Sequence, residues 1–227
     1  HIAYLLMVAA VITSCGEKKQ TSEFPDWAWA DFQRPEGINP IVSPDTTTVF
    51  YCPMRQDSVA WESSDTFNPA ATIYDGKVVV LYRAEDNSAV GIGSRTSRLG
   101  YAYSDDGLHF NRMTVPVFYP ADDNQKELEW PGGCEDPRVA VTDDGLYVML
   151  YTQWNRKQAR LAVATSRDLQ IWEKYGPAFA KAYGGRFFDE FSKSASIVTK
   201  LVDGKQVIAK IDGKYWMYWG EKFVNVA

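Results

Sequence analysis

The chain alternates between runs of β-branched or aromatic residues and short polar turns. Three segments repeat one pattern, in which an apolar run leads into Asp-Gly and a second apolar run follows. These segments are Ile73–Tyr82, Val141–Tyr151 and Lys210–Tyr218. Asp-Gly between two such runs is a strong hairpin signal, because glycine adopts the positive φ that the turn needs. The pattern therefore predicts three β-hairpins and an all-β protein.

The hairpins recur at a nearly constant spacing. Their turn glycines, Gly76, Gly145 and Gly213, are 69 and 68 residues apart. A second turn motif follows each of the first two hairpins, at Ser104–Phe110 and Ser166–Trp172. Two hairpins per repeat make a four-stranded sheet, and four-stranded sheets that recur along one chain are typical of a β-propeller. The third repeat lacks its second turn motif, so we expect the natural protein to continue into further blades.

The N-terminal residues predict a leader rather than a part of the fold. Ile2 to Ile12 is an apolar run about half as long as the roughly 20 residues of a membrane span. It ends in Ile12-Thr13-Ser14-Cys15, which resembles the lipobox of bacterial lipoproteins. We therefore expect a signal peptide at 1–14, a linker at 15–34 attached to lipid through Cys15, and a β-propeller glycosidase domain at 35–227. The expected location is the bacterial cell envelope, either periplasmic or surface-exposed.

The composition argues against nucleic-acid binding and against a zinc site of the usual Cys and His ligands. The 227 residues carry a net charge of -5 without blocks of like charge, which argues against nucleic acid as a partner. The three cysteines have no Cys-x-x-Cys spacing, and His109 is the only histidine apart from His1, so a zinc site of the usual kind is not expected. We expect no metal and no cofactor, and a catalyst would depend on Asp, Glu, Lys, Arg or Tyr.

Two X-Pro steps occupy equivalent positions in consecutive repeats. Asn68-Pro69 begins the inner strand of one repeat, and Asp136-Pro137 begins that of the next. Proline favours an extended conformation in the residue before it, so both residues are expected to be extended and to face one shared cavity. Arg83 and Arg138 are the cations expected beside Asp136. On spacing alone, Asp136 is equally a general acid or a salt-bridged structural aspartate.

The aspartates of the repeated turns have a simpler interpretation. Asp105, Asp106 and Asp168 lie in the second turn motif of their repeats. Because a turn aspartate usually accepts hydrogen bonds from backbone groups two residues further on, we interpret all three as structural.

An ordered set of motifs over residues 40–227 resembles glycoside hydrolase family 130. The motifs are Phe67-Asn68-Pro69-Ala70-Ala71, Leu81-Tyr82-Arg83-Ala84-Glu85, Gly93 to Gly100, Glu135-Asp136-Pro137-Arg138 and Lys210 to Tyr215. The resemblance implies a five-bladed β-propeller enzyme that acts on β-mannosides, either as a phosphorylase or as a β-1,2-mannosidase.

The resemblance also implies roles for individual residues. Asp136 matches the general acid, which acts with inversion and passes its proton through a sugar hydroxyl. Asn68, Arg83 and Lys210 match residues that hold mannose in the −1 subsite, and Arg138 is a further candidate for substrate binding. Arginine and lysine donate hydrogen bonds to sugar hydroxyls, and asparagine both donates and accepts them.

One departure from the family pattern bears on the reaction type. Phosphorylases of the family usually carry a His-Arg pair that helps to bind phosphate, where this chain has Trp219-Gly220 followed by Glu221. A carboxylate repels phosphate and is able to activate water, so the departure favours hydrolysis. Glu221 is the first candidate for the base and Glu190 the second.

The sequence analysis thus predicts an exo-acting, inverting β-1,2-mannosidase anchored to a membrane by lipid alone. Trp130, Trp154 and Trp219 are candidates for stacking on sugar rings. Two alternatives stay open. One is a mannoside phosphorylase that binds phosphate through Arg156, Lys157 or Arg186, and the other is a non-catalytic glycan-binding lipoprotein.

Overall fold

The computed structural model describes residues 33–227, and its regular structure is almost entirely β. The predicted signal peptide, Cys15 and nearly all of the predicted linker lie outside the described residues. Residues Glu36–Ala227 form one compact unit. Within the described range, no helix has the length and apolarity needed to cross a membrane.

The first four-stranded unit matches the two predicted turns of the first repeat. An antiparallel pair, β1 (Phe50–Cys52) and β2 (Asp57–Val59), precedes it. The unit itself, here the first sheet, consists of β3 (Asp65–Tyr74), β4 (Lys77–Glu85), β5 (Ser97–Ser104) and β6 (Asn111–Arg112), each antiparallel to the next. Asp75 and Gly76 both have positive φ between β3 and β4, as a tight hairpin turn requires.

The second unit repeats this order. A single helical turn, α1 (Lys126–Glu129), leads into it. The second sheet consists of β7 (Gly133–Val141), β8 (Tyr147–Trp154), β9 (Ala159–Ser166) and β10 (Glu173–Pro177). Its first connection is a five-residue loop closed by a hydrogen bond from the Thr142 backbone N–H to the Leu146 carbonyl (2.9 Å), so Gly145 serves a longer turn than the pattern predicted.

The third repeat differs most from the prediction. A 3₁₀ turn at Ala182–Gly185 precedes it, and its strands are β11 (Ser194–Ile197), β12 (Thr199–Val202), β13 (Lys205–Ile208), β14 (Lys210–Ile211), β15 (Lys214–Tyr215), β16 (Met217–Gly220) and β17 (Asn225–Val226). The predicted Asp212-Gly213 hairpin exists as the two-residue strands β14 and β15. A second hairpin at Asp203-Gly204 joins β12 to β13. The third sheet is β11, β16 and β17.

The sheets pack on one another through alternate residues of their strands. Val79, Leu81, Val139 and Met149 belong to the core cluster shared by the first and second sheets. The opposite face of β4, with Val80 and Tyr82, packs with Trp61 and the β1–β2 pair. The opposite face of the second sheet packs on the third through Leu150, Leu161 and Ala195. Because both faces of the first and second sheets are covered, their central strands are buried almost throughout.

The first and second sheets come closest where their inner strands begin. β5 and β7 are paired there, in parallel, through Ser97 and Gly133. Gly133 has φ +120°, and a Cβ at this position would overlap the Ser97 backbone. The chain therefore needs glycine at this contact.

The all-β prediction is confirmed, and two four-stranded units follow one another along the chain. No sheet closes into a ring within residues 33–227, so the five-bladed propeller and its blade count stay predictions. Cys52 and Cys134 are both buried and both free thiols.

Candidate active site

The site begins at two matching β-bulges. In β3, Phe67 pairs with Arg83 and Ala70 with Leu81, which leaves one extra residue in β3. β7 has the same irregularity between Glu135 and Arg138. Each bulge contains one of the two X-Pro steps that the sequence placed at equivalent positions.

The backbone at these bulges corrects one expectation. Asn68 has φ +45° and Asp136 has φ +51°, so neither residue is extended as the following proline predicted. The physical reason is that the bulge must turn the chain within one residue, and asparagine and aspartate enter the left-handed region more readily than other residues with side chains. The two side chains do lie side by side, because the Asn68 Nδ2 group donates a hydrogen bond to Asp136 Oδ1 (2.9 Å). That both face one shared cavity stays a prediction.

Arg83, which belongs to β4 of the first sheet, binds Asp136 of β7. Its Nη1 donates to Asp136 Oδ1 (3.0 Å), and its Nη2 donates to Glu85 Oε1 (2.6 Å) and to Glu135 Oε1 (2.9 Å). Its Nε donates to the Ser97 hydroxyl (3.0 Å). One buried guanidinium, with 3% of the side chain exposed, thus contacts three carboxylates. Asp136 is the most accessible of the three, with 12% of its side chain exposed, against 0% for Glu85 and 1% for Glu135.

The two adjacent carboxyls of this cluster have opposite pKa shifts. Burial alone would raise the pKa of Asp136, but the Arg83 charge and the hydrogen bonds from Asn68 and Arg83 outweigh burial and lower that pKa. Burial raises the pKa of Glu135 above its usual value, although Arg83 and Lys193 oppose it. Pairs of carboxyls with diverging pKa values are typical of sites that use proton transfer.

Lys193 is the site residue that the sequence analysis missed. It lies just before β11, and its Nζ is 3.3 Å from Glu135 Oε2. Lys193 directly precedes the first strand of the third sheet, as Asn68 and Asp136 lie near the starts of the first strands of their sheets. This equivalent position is the feature that could have identified Lys193 as a site residue. Lys210, the lysine chosen from the sequence, is exposed in the β14–β15 hairpin, with its Nζ 4.9 Å from the centre of the Tyr215 ring.

Three of the remaining candidates share one cavity beside the third sheet. Arg138, Trp219 and Glu221 line a cavity of about 310 Å³. Arg138 is exposed, and in the described part of the chain no ion pair joins it to Asp136; its Nη1 donates to the Pro137 carbonyl (2.8 Å). The Trp219 ring lies 4.3 Å from the Phe179 ring, centre to centre. Glu221 is exposed at the end of β16.

Among the other candidates, the two tryptophans have contacts that explain them structurally. The Trp154 indole N–H donates to the Gly93 carbonyl (2.7 Å), and Trp130 packs on the cluster around Trp61. Glu190 is exposed before β11. Among the described ion pairs, none includes Arg156, Lys157 or Arg186, the residues considered for phosphate.

The turn aspartates have the backbone contacts expected of structural residues. Asp106 Oδ1 accepts hydrogen bonds from the backbone N–H groups of Leu108 and His109, both at 2.8 Å. Asp168 Oδ1 accepts from those of Gln170 and Ile171. Asp105 pairs instead with Lys77 across the hairpin. In residues 33–227, no group of three His, Cys, Asp or Glu side chains is placed to hold a metal ion.

Comparison with known proteins identifies relatives of this chain. The glycosyl hydrolase 130 family, described as beta-1,4-mannooligosaccharide phosphorylase, matches residues 33–226. A 1,2-beta-oligomannan phosphorylase from Thermoanaerobacter sp. (strain X514) is 36% identical over 152 residues, which are 65% of this chain and 46% of that protein. A beta-1,2-mannobiose phosphorylase from the same organism is 32% identical over 160 residues, which are 65% of this chain and 47% of that protein.

Several solved structures are similar to this chain, at higher sequence identity than the two phosphorylases. One was solved in work stating that the GH130 family of mannoside phosphorylases contains glycoside hydrolases that target beta-1,2 mannosidic linkages in Candida mannan. It is 69% identical, with a TM-score of 0.87, over 89% of this chain and 56% of that one. A glycosyl hydrolase from Bacteroides ovatus is 67% identical, with a TM-score of 0.88, over 90% of this chain and 57% of that one. The chain spans about half the length of the curated relatives it matches.

Proposed function

The chain belongs to glycoside hydrolase family 130, and from that premise we propose that the protein is an exo-acting, inverting hydrolase that releases mannose from β-1,2-linked mannosides. The observation that carries the proposal is the contact of Asp136 with Asn68 and Arg83 at the paired bulges. This arrangement offers a partly exposed carboxyl beside an exposed amide, and the buried guanidinium of Arg83 orients the carboxyl, which suits binding and protonation of a sugar.

Asp136 is the proposed general acid. Its lowered pKa means that the carboxyl is ionised in the empty site at neutral pH. A bound mannoside would exclude water from the carboxyl, and burial is the effect that raises the pKa of Asp136. Substrate binding is therefore the step that prepares Asp136 to hold the proton, which it delivers to the leaving oxygen through a sugar hydroxyl.

Glu221 is the proposed base that activates water. It lines the same cavity as Arg138 and Trp219, where an exposed carboxylate is able to reach a water molecule. An inverting hydrolase needs its two carboxyls about 6.5–9.5 Å apart, with water between them. The 69% identity to a structure solved in work on β-1,2-mannoside hydrolases supports this choice over phosphorolysis.

A mannoside phosphorylase is the second candidate, because both curated relatives are named phosphorylases. That reaction would need cations for phosphate near Asp136. Arg83 pairs with Asp136 and Lys193 pairs with the adjacent Glu135, while Glu221 would oppose phosphate binding in the cavity it shares with Arg138.

Assay of the full-length protein on β-1,2-mannobiose, with and without inorganic phosphate, tests the proposal. We expect free mannose at a rate that does not depend on phosphate. Glu221→Gln should lower this rate by at least about 100-fold, as expected for loss of a general base. Glu190→Gln tests the second candidate for the base, and Glu127→Gln, which changes an exposed glutamate of α1 that does not line this cavity, is the matched control and should keep the rate. Hydrolysis that survives Glu221→Gln would remove Glu221 from the mechanism.

The lipid anchor at Cys15 is also a proposal, and it rests on the sequence alone. Labelling of the wild-type precursor with a radioactive fatty acid in a bacterial host should be lost in Cys15→Ser. Equal labelling of the two proteins would contradict the anchor.

A further inference from the structure

Glu135 lies between two cations that come from different sheets. Its Oε1 accepts a hydrogen bond from Arg83 Nη2 (2.9 Å), and Arg83 belongs to β4 of the first sheet. Its Oε2 lies 3.3 Å from the Nζ of Lys193, which precedes β11 of the third sheet. With 1% of its side chain exposed, Glu135 is closed to solvent and to substrate.

The contacts of Arg83 show what this carboxylate does for the neighbouring aspartate. Glu85 and Glu135 both accept from Nη2, and Ser97 accepts from Nε. Because a guanidinium is planar and rigid, fixing Nη2 and Nε also fixes Nη1. Nη1 is the group that donates to Asp136.

We propose that Glu135 is a positioning residue for the proposed mannoside hydrolysis, and that it places Arg83 and Lys193 around Asp136. The inference rests on the proposed function for the reaction, although the placement itself does not depend on the reaction. A buried carboxylate is costly unless its partners compensate for lost hydration, and Glu135 uses one oxygen for each cation.

The charges around Asp136 predict how a neutral residue at position 135 would act. Asn68 faces Asp136 from β3 and Arg83 faces it from β4. Glu135 from β7 and Lys193 from the segment before β11 also act on it through their charges. Glu85 lies behind Arg83, where it pairs with Arg83 and with Arg95. The Glu135 carboxylate, which pairs with both Arg83 and Lys193, offsets part of their positive charge. Without that offset, the two cations favour ionised Asp136 in the substrate complex.

Glu135→Gln should therefore change the pH profile as well as the rate. The alkaline limb of kcat, where Asp136 loses its proton, should move to lower pH, and kcat at neutral pH should fall at least tenfold. Glu129→Gln is the matched control, because Glu129 is another fully buried glutamate with a lysine partner, Lys174, outside the site. Both variants should lower the melting temperature, but Glu129→Gln should keep the wild-type pH profile. An unshifted profile in Glu135→Gln, or an equal shift in both variants, would overturn the proposal.

A second measurement needs no turnover and separates this inference from the proposed function. In ¹⁵N-labelled protein, the two Nη signals of Arg83, assigned with Arg83→Lys, are separate when rotation about the Nε–Cζ bond is slow and merge when it is fast. The proposal requires slow rotation in the wild type and faster rotation in Glu135→Ala. A freely rotating Arg83 in the wild type would overturn it even if neither Glu135 variant folds. Slow rotation in a protein without hydrolase activity would reject the proposed function and leave the placement of Arg83 standing.

Discussion

At the scale of single residues, Asp136 shows how one side chain combines a structural and a chemical role. It accepts hydrogen bonds from Asn68 and Arg83 in a bulge that only a few residue types tolerate. The two interpretations left open by the sequence, acid or salt-bridged aspartate, thus describe one residue, because the ion pair with Arg83 orients the carboxyl that the proposed reaction uses.

The low pKa of Asp136 predicts how its ion pair affects stability. Because this pKa is lower in the folded than in the unfolded chain, ionised Asp136 stabilises the fold above about pH 4, and this contribution is lost as pH falls through the folded value. Asp136→Asn should lower the free energy of unfolding at pH 7 by about 1.5–3 kcal/mol. Urea unfolding of both proteins should show the difference shrinking below pH 4, and a difference that grows in acid would contradict the assignment.

The residues of the site were partly predictable from sequence. Asn68 and Asp136 are 68 residues apart, the repeat length itself, so their meeting followed from the repeat. Lys193 could not be found in this way, because the third repeat contains an extra hairpin that obscures its alignment with the other two. The three-carboxylate cluster around Arg83 was also missed, because Glu85 and Glu135 carry no spacing signal and come together at Arg83 only when β4 and β7 pack in the folded chain.

At the scale of elements, Asp-Gly turns marked the hairpins but not their lengths. The first and third turns have positive φ at both central residues, whereas the second is part of a five-residue loop. The strands of the β14–β15 hairpin are only two residues long, because the chain after Tyr215 leaves this hairpin to pair with β11 and β17. Local turn chemistry predicts where the chain reverses, and tertiary pairing decides how far each strand extends.

The contact between the first and second sheets gives a prediction about glycine. Gly133→Ala should cost more than about 3 kcal/mol or prevent folding, because the new Cβ would overlap the Ser97 backbone. Gly145→Ala is the matched control: it also has positive φ but open space around it, so it should cost only about 1–2 kcal/mol. Thermal unfolding of both variants measures the comparison, and equal losses would show that backbone strain, not the close approach of the sheets, makes Gly133 necessary.

At the scale of the whole molecule, the stack of sheets explains why a site forms at the starts of the inner strands. The first and second sheets pack face to face, so equivalent bulges bring Asn68 and Asp136 together. The third sheet adds Lys193 beside Glu135, and it adds the cavity that contains Glu221. Residues near the strand ends of three successive sheets therefore meet around Asp136 and Glu135, as expected when function is carried by loops and strand ends on a rigid scaffold. That Glu221 acts in the same site is part of the proposed function.

A ¹H NMR time course of the full-length protein acting on β-1,2-mannobiose in phosphate buffer distinguishes inverting hydrolysis from phosphorolysis and from retention. We expect the mannose released from the non-reducing end to appear first as the α-anomer, because water attacks from the face opposite the leaving group. We also expect that no mannose 1-phosphate forms. Accumulation of α-mannose 1-phosphate would contradict the account and make the protein a phosphorylase, and β-mannose as the first anomer would contradict inversion.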